Sequence, residues 1–258
     1  MKKIYIIVLA ISLVSLLVLN SSCRKYPFLE GNGNVTSETR TSVSFNKVEN
    51  QGDFNVYYVH DSVFRVVVEA ESNLIPYIRT IVNGNTLEID TRENLNNSYA
   101  MKVTVYSPAL YAVTLSGSGL INTGMVVEDN FDVKLSGSGI IYGDVTSLSF
   151  SSTLSGSGEI DFGVNSENVN AVISGSGNIK LLGESTFADY LISGSGNIES
   201  YNMLLNECIA KISGSGNIYT NVSDYLNVKI SGSGNLYYLG NPIIDIDISG
   251  SGNVIHGK

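Results

Sequence analysis

Tryptophan is absent from this chain of 258 residues, and cysteine, histidine and proline are scarce, with two, two and four copies. Cys23 and Cys208 are too few for a disulfide framework. His60 and His256 stand near opposite ends, which does not indicate a metal site. Fifteen Lys and Arg against 24 Asp and Glu give a formal net charge of -9, which argues against nucleic acid. We therefore expect no cofactor, no metal and no nucleic-acid partner.

The first 22 residues are predicted to be a signal peptide. Lys2 and Lys3 precede an apolar run from Ile4 to Leu19, which is shorter than the ~20 residues that a membrane-spanning helix needs. The run leads through Asn20-Ser21-Ser22 into Cys23, as in the lipobox of bacterial lipoproteins. We predict that Cys23 is lipidated and anchors the chain to the outer membrane; an uncleaved membrane anchor is the alternative. Residues 23–40 are predicted to be a flexible tether.

Glycine, in contrast, is abundant, with 26 copies, and most of them belong to one repeat. The tetrapeptide Ser-Gly-Ser-Gly begins at Ser116, Ser136, Ser155, Ser174, Ser193, Ser213, Ser231 and Ser249, at spacings of 18 to 20 residues. An aliphatic residue precedes every copy: Leu115, Leu135, Leu154, Ile173, Ile192, Ile212, Ile230 and Ile248. Another follows two places after every copy: Ile121, Ile141, Ile160, Ile179, Ile198, Ile218, Leu236 and Val254.

This repeat predicts an all-β fold, a single-stranded parallel β-helix or solenoid with about eight regular coils of 18–20 residues. One coil cannot bury its aliphatic residues alone, but stacked coils join them into one core. The glycines are predicted to make the corners, through positive φ and close backbone approach. They are Gly117, Gly119, Gly137, Gly139, Gly156, Gly158, Gly175, Gly177, Gly194, Gly196, Gly214, Gly216, Gly232, Gly234, Gly250 and Gly252.

The residue after the last glycine is Glu159 in the third copy and asparagine in the five that follow. These are Asn178, Asn197, Asn217, Asn235 and Asn253. Stacked asparagines can form a hydrogen-bonded ladder, and an ordinary turn residue is the equal alternative.

Within the predicted solenoid, 41–258, the segment 41–112 lacks the repeat and is predicted to form irregular capping coils before the regular ones at 113–258. Asn83-Gly84 indicates a hairpin, and the residues around Pro76 one helical turn. No cap is visible beyond the last repeat, so we expect an open edge that favours self-association through the C-terminal coil.

On these features the sequence resembles the bacterial head-GIN-domain family, described as autotransporter adhesins. The resemblance covers roughly Ser44 to Val254. It includes the strand Phe45-Asn46-Lys47-Val48, the hairpin around Asn83-Gly84, the segment Val105 to Leu110, and most specifically the turn Ser-Gly-Ser-Gly-Asn-Ile at 174–179. It implies a β-helical fold, a source in Bacteroidota and a role in adhesion, and it supplies no catalytic residues.

Nothing in the repeats indicates an enzyme. No arginine follows Ser116, and the aspartates do not share one repeat position, so the groups of a polysaccharide lyase are missing. The corner serines do not form Gly-x-Ser-x-Gly and have no recurring His or Asp beside them. Cys208, before a repeat strand, is predicted to be a small core residue rather than a nucleophile.

The leading functional hypothesis is a non-catalytic envelope lipoprotein, an adhesin-like module that binds a protein or a glycan along its side. Aromatic residues favour such surfaces, so the candidate contacts are Tyr142, Tyr201, Tyr219, Tyr225, Tyr237 and Tyr238. Packing between coils is the alternative for these tyrosines. The alternative functions are a periplasmic scaffold or envelope-stress protein and, less favoured, a polysaccharide-processing enzyme. Arg24 and Lys25 weaken display on the outer leaflet, which the sequence leaves open.

Overall fold

The computed structural model describes residues 28–257, which form twenty β-strands and one short 3₁₀ helix. The predicted signal peptide and Cys23 lie outside the described residues. The strands are β1 (Leu29–Glu30), β2 (Val35–Thr41), β3 (Lys47–Asn50), β4 (Asn55–His60), β5 (Arg65–Glu71), β6 (Ile78–Asn83), β7 (Thr86–Thr91), β8 (Leu95–Asn96), β9 (Lys102–Ser107), β10 (Ala112–Leu115), β11 (Leu120–Val127), β12 (Asn130–Leu135), β13 (Ile140–Leu154), β14 (Glu159–Ile173), β15 (Asn178–Ile192), β16 (Asn197–Ile212), β17 (Ile218–Ile230), β18 (Leu236–Leu239), β19 (Ile243–Ile248) and β20 (Val254–His256). The helix, Ile75–Tyr77, contains Pro76, as the sequence predicts. Between residues 28 and 257, no helix has the length and apolar character needed to cross a membrane.

The strands stack as a parallel solenoid. Each of β13 to β17 forms one coil apart from its corner, with an outgoing segment after one Ser-Gly-Ser-Gly corner and a returning segment before the next. Neighbouring coils pair in parallel with equal repeat positions opposite each other, so that Ile160 pairs with Ile179 and Ile173 with Ile192. The predicted solenoid of about eight coils is confirmed.

The repeated aliphatic residues form the core. Along the returning segments, the residues in one column are at most 1% exposed: Ile173, Ile192, Ile212 and Ile230. Three phenylalanines fill the early coils, where the ring centroids of Phe150 and Phe162 are 5.3 Å apart and Phe131 packs beside both. Burying one such side chain stabilises the folded state by roughly 1.5–3 kcal/mol. Because the columns run from coil to coil, this burial stabilises chiefly the stacking of one coil on the next.

The corner glycines are required for space rather than for an unusual backbone conformation. The prediction of positive φ is wrong, because positive φ occurs at other glycines, such as Gly124 and Gly183, and at none of the sixteen corner glycines. The predicted close approach is confirmed, since a Cβ on Gly194 would overlap the carbonyl oxygen of Gly175 in the coil before it. Coils spaced at ~4.8 Å leave no room there for a side chain.

The coils at the N-terminal end do not follow chain order. Strand β3 lies between β7 and β10, and β4 lies between β9 and β11, with parallel pairing throughout. The coil formed by β3 and β4 is therefore the second coil of the stack. The first coil is formed by β7 and β9, which come later in the chain.

Antiparallel strands cover that first coil. Strand β5 pairs with β9, β2 pairs with β5, and β6 pairs with β7. The predicted hairpin joins β6 and β7, with Gly84 at φ +60° as the first of its two loop residues. Strands β7 and β9 of the first coil are thus covered by antiparallel partners, which protects the edges of that coil.

The prediction of a flexible tether is wrong for residues 28–40, because these residues contain β1 and most of β2. Strand β1 pairs with β8, and the Glu71 carboxylate accepts hydrogen bonds from the backbone N–H groups of Gly33 (2.6 Å) and Ser98 (2.7 Å). The Arg40 guanidinium donates to the carbonyl oxygens of Ile75 and Ile78. The sequence does not predict a structured segment here, because its residues are polar and the residues that they contact lie far along the chain.

The last coil, β19 with β20, is open on its outer side. Ile246 and Ile248 are 48% and 41% exposed, whereas their partners in the preceding coil, Val228 and Ile230, are at most 1% exposed. Within the described residues, no strand pairs with the far edges of β19 and β20.

Candidate functional site

One column of outward side chains runs along the outgoing segments. Its members, each the register partner of the next, are Asn122, Tyr142, Asp161, Lys180, Glu199, Tyr219, Tyr237 and Ile255. The alternation of side chains along a strand places this column outside and the aliphatic columns inside. We call it the tyrosine column.

Aromatic rings are packed together at the C-terminal half of this column. The rings of Tyr219 and Tyr237 are stacked, 4.9 Å apart and within 7° of parallel. Tyr201, two residues beyond the column position on its own coil, meets Tyr219 edge to face at 5.4 Å. All three are partly exposed, so rings that pack against one another between coils also form part of the surface.

The other three candidate tyrosines lie elsewhere. Tyr142 belongs to the same column four coils before Tyr219, and its hydroxyl is hydrogen-bonded to the Asn122 amide at 3.0 Å. Tyr225 lies on a returning segment, and Tyr238 stacks on His256 in the last coil. The structure therefore brings together three of the six predicted contact residues.

A concave pocket of about 540 Å³ adjoins the rings. We call it the tyrosine pocket, and its lining includes Asp161, Lys180, Glu199, Tyr201, Asn202 and Tyr219. Aromatic faces thus lie beside carboxylate, ammonium and amide groups, an amphipathic combination that binds molecules with both apolar and hydroxylated surfaces.

The charges of the pocket are predominantly negative. Lys180 donates to the Glu159 carboxylate at 3.1 Å, and this hydrogen bond raises the pKa of its ammonium group. Partial burial raises the pKa of Asp161, with further repulsion from Glu159 and Asp144 that Lys180 partly opposes. The single cation is thus already paired, while the carboxylates of Asp161 and Glu199 face the pocket.

Burial also raises the pKa values of the Tyr201 and Tyr219 hydroxyls, and the neighbouring tyrosine hydroxyls add to the effect. Both hydroxyls are consequently neutral at physiological pH and can donate hydrogen bonds.

The asparagines next to this column form the predicted ladder. The Nδ2 group of Asn197 donates to Oδ1 of Asn178 at 3.2 Å, and Asn217, Asn235 and Asn253 each repeat the bond to the asparagine of the preceding coil. Each Oδ1 atom also accepts the next coil's backbone N–H at 3.0 to 3.2 Å. The ladder fixes the register of the strands that carry the tyrosine column.

A second, larger groove of about 850 Å³ follows the bends between outgoing and returning segments. Hydroxyl groups line much of it, and several hold the bend: Ser147 donates to Ser166, and the Ser185 hydroxyl lies within hydrogen-bond distance of the carbonyl oxygens of Glu167 (3.1 Å) and Phe187 (3.0 Å). Leu148 and Leu204 project beside them. Its polar groups therefore serve the fold first.

The remaining reactive side chains are dispersed. Cys208 is fully buried, as the sequence predicts, and burial raises its pKa to about 12. Within residues 28–257, no three His, Cys, Asp or Glu side chains are grouped so that they could hold a metal ion.

The polar members of the column were missed by sequence reasoning, which finds no repeat position shared among the aspartates. A signal was present. Asp161, Lys180, Glu199, Tyr219 and Tyr237 each stand six residues after the first serine of a corner. The column is identified in the sequence when the residues at this distance from each corner are compared whatever their type, rather than one residue type at a time.

Comparison with known proteins agrees with the fold. The model of the family described as "Putative auto-transporter adhesin, head GIN domain" matches residues 44–242. No curated protein matches the chain.

Solved structures share the architecture. A "putative lipid binding protein" from Parabacteroides distasonis ATCC 8503 superposes with a TM-score of 0.85 at 24% identity, covering 90% of this chain and 100% of the other. A "putative adhesin" from Parabacteroides merdae ATCC 43184 gives 0.83 at 22%, covering 90% and 99%. A "putative adhesin" from Bacteroides fragilis NCTC 9343 gives 0.68 at 23%, covering 89% and 100%. At these identities the similarity concerns the fold.

Proposed function

Because this chain belongs to the head GIN domain family, we propose that it is an adhesin-like interaction module of the cell envelope. In this proposal it binds a glycan or a protein along the side of the solenoid and catalyses no reaction. The names of the neighbours from Parabacteroides merdae and Bacteroides fragilis support adhesion as the role.

The observation that carries the proposal is the aromatic surface at Tyr201, Tyr219 and Tyr237 beside its pocket. A solenoid presents an extended, rigid side, and tyrosines are enriched where proteins meet their partners. These partly exposed rings present aromatic surface outside the core, and a binding role would explain their position.

A role without catalysis is supported by the placement of potential nucleophiles and bases. A buried thiol with a pKa of about 12 supplies no thiolate at neutral pH, which removes Cys208 as a nucleophile. His60 lies in the second coil and His256 in the last. The two histidines are therefore separated by most of the length of the solenoid.

Attachment to the outer membrane through lipid on Cys23 is part of the proposal. Expressed in a bacterium, the full chain is expected in the membrane fraction, and the Cys23→Ser variant is expected in the soluble envelope fraction. Equal partition of the two variants would contradict the anchor. Protease treatment of intact cells then decides the leaflet, because only a surface-facing chain is digested.

The binding proposal is tested by presenting the labelled, leaderless Cys23→Ser chain to an array of purified glycans and matrix proteins. Saturable binding to an array member, without change in its mass, supports a non-catalytic module. If the chain cleaves a glycan or protein of the array, the proposed absence of catalysis is refuted. If it binds no glycan and no protein, the interaction role is refuted.

A second candidate is a periplasmic scaffold in which copies associate through their ends. The exposed Ile246 and Ile248 on the last coil favour it. Protection of the chain in intact cells, together with self-association in solution, would support this candidate over display at the surface.

A further inference from the structure

The tyrosine pocket has the dimensions of a site for a small ligand. Its volume of about 540 Å³ falls within the roughly 300–1,000 Å³ typical of such sites. A protein partner would instead need roughly 800 Å² of well-matched surface on each side. A pocket of this size therefore fits one or two sugar rings of a glycan better than it fits the side of a folded protein.

The aromatic groups suit the apolar face of a sugar ring. Tyr201 and Tyr219 stand nearly perpendicular, at 79°, and both line the pocket, so they present two differently oriented ring surfaces to one ligand. Pyranose rings carry C–H groups on their faces and hydroxyl groups around their edges. The C–H face can pack on a tyrosine ring in the manner of other apolar groups.

The polar groups suit the hydroxyl edge. Carboxylates accept hydrogen bonds and donate none, and the Asp161 and Glu199 carboxylates stand in the column before Tyr219. Asn202, exposed at the rim, can both donate and accept. Sugar hydroxyls can donate to both carboxylates at once.

The charge balance selects against acidic ligands. Two carboxylates line the pocket, and Lys180, the one cation in its lining, is held by Glu159 at 3.1 Å. A sulfated, sialylated or uronic glycan would bring a further negative charge beside the carboxylates of Asp161, which is partly buried, and Glu199, which is exposed. An anion without a free cation to pair with would be repelled.

The pocket is also preorganised. The asparagine ladder fixes Asn178, Asn197 and Asn217 coil by coil, directly beside Lys180, Glu199 and Tyr219. The stacking of Tyr219 on Tyr237 restrains the ring that faces the pocket. The Tyr219 ring therefore has little freedom left to lose when a ligand binds, which favours affinity for a small molecule.

We infer that the tyrosine pocket binds uncharged glycans, with sugar rings packed on Tyr201 and Tyr219 and their hydroxyl groups donating to Asp161 and Glu199. This inference rests on the proposed interaction role and specifies the ligand class for the same face.

The test uses the labelled, leaderless Cys23→Ser chain on an array that holds neutral glycans, their sulfated or sialylated counterparts and matrix proteins. Neutral glycans are expected to bind, with acidic counterparts bound on the order of tenfold more weakly. Tyr219→Ala is expected to weaken binding about tenfold or more, and Tyr219→Phe to retain most of it, because the ring is kept.

Two further variants separate the pocket from the rest of the solenoid. Tyr225→Ala removes a partly exposed tyrosine from the returning face and is expected to leave binding unchanged. Glu199→Gln keeps an acceptor and removes a charge, so it is expected to raise the relative binding of acidic glycans severalfold. Since both sites are partly exposed, circular dichroism and thermal unfolding should show that the variants keep the fold.

The outcomes distinguish the inference from the role that it extends. Binding to proteins alone, a preference for acidic glycans, or equal effects of Tyr219→Ala and Tyr225→Ala would refute the glycan assignment and leave an interaction module. Absence of binding to every glycan and protein would refute both.

Discussion

At the scale of the residue, the corner glycines decide whether coils can stack. Each corner glycine from the second copy onward faces the carbonyl oxygen of its counterpart one coil earlier, at the place where a Cβ would stand. The neighbouring serines project outward and are exposed, so the two residue types of one tetrapeptide have opposite tolerance to change.

Gly194→Ala should therefore destabilise the protein by about 3 kcal/mol, because the methyl group overlaps the Gly175 carbonyl and the stack must separate locally. Urea unfolding followed by circular dichroism measures the effect. Ser195→Ala, one residue away and exposed, is the control and should change stability by less than about 0.5 kcal/mol. Similar unfolding midpoints for the two variants would show that the corner has room to spare.

The asparagine ladder gives a second prediction at this scale. Asn217 donates to Asn197 through its side chain, and its Oδ1 accepts from both the backbone and the side chain of Asn235. Asn217→Ala should cost about 1–3 kcal/mol in urea unfolding, since several partly buried hydrogen bonds are lost. Asn253→Ala removes one exposed side-chain bond, to Asn235, and should cost less than half as much. An equal cost would mean that the ladder bonds are not what stabilises this column.

At the scale of the element, the N-terminal strands are held by a few charged side chains rather than by a repeat. The Glu71 carboxylate ties the turn before β2 to the loop after β8, and hydrogen bonds from the backbone of Gly33, and then Ser98 and Tyr99, lower its pKa. Because the native pKa is lowered, this contribution to stability is present above the unfolded pKa, about 4.3, and is lost as pH falls through the native value.

Glu71→Gln is accordingly expected to lower the unfolding temperature at neutral pH and to flatten its decline as pH falls below the unfolded pKa of glutamate, about 4.3. Amide hydrogen exchange should show faster opening at residues 28–41, whereas the repeat coils should exchange as before. Glu69→Gln, on an exposed neighbour in β5, provides the control. An unchanged pH profile would assign the order of this segment to β1–β8 and β2–β5 pairing alone.

The repeat coils were predictable because every coil carries the same aliphatic positions, so one inference holds eight times. The N-terminal region offers no such redundancy. Its hairpin was predictable from Asn83-Gly84, which are adjacent in the sequence. The pairing of β2 with β5, in contrast, joins residues far apart, and β2 is a polar strand without alternation. The candidate site shows the same contrast. Tyrosines could be proposed as contact residues from their type alone, but only the strand register shows that Tyr219 and Tyr237 stack.

At the scale of the whole molecule, the two ends of the solenoid differ. Strands β2, β5 and β6 cover the first coil, while the last coil exposes Ile246 and Ile248, whose equivalents are buried elsewhere. Because these exposed isoleucines belong to the last coil, we propose that two copies meet through their last coils, as an isologous dimer.

The leaderless chain should then sediment as a concentration-dependent mixture of monomer and dimer, and Ile246→Glu should shift it to monomer by burying a charge in the contact. Asp245 and Asp247 on the same strand would approach their copies, so added salt should strengthen association. Ile81→Glu, an exposed isoleucine at the opposite end, is the control. A monomer at every concentration and ionic strength would contradict the dimer.

The displaced position of the coil formed by β3 and β4 has a consequence for how the chain acquires its structure. During synthesis, residues 47–60 emerge first, yet both of their neighbouring coils come from later segments, through pairs such as Asn55 with Lys102 and Asn55 with Leu120. Such distant pairings close long loops and form slowly, whereas each later coil adds to a neighbour only 18 to 20 residues away. We therefore expect formation of the first three coils to limit the rate of folding, after which the remaining coils can add to the stack one at a time.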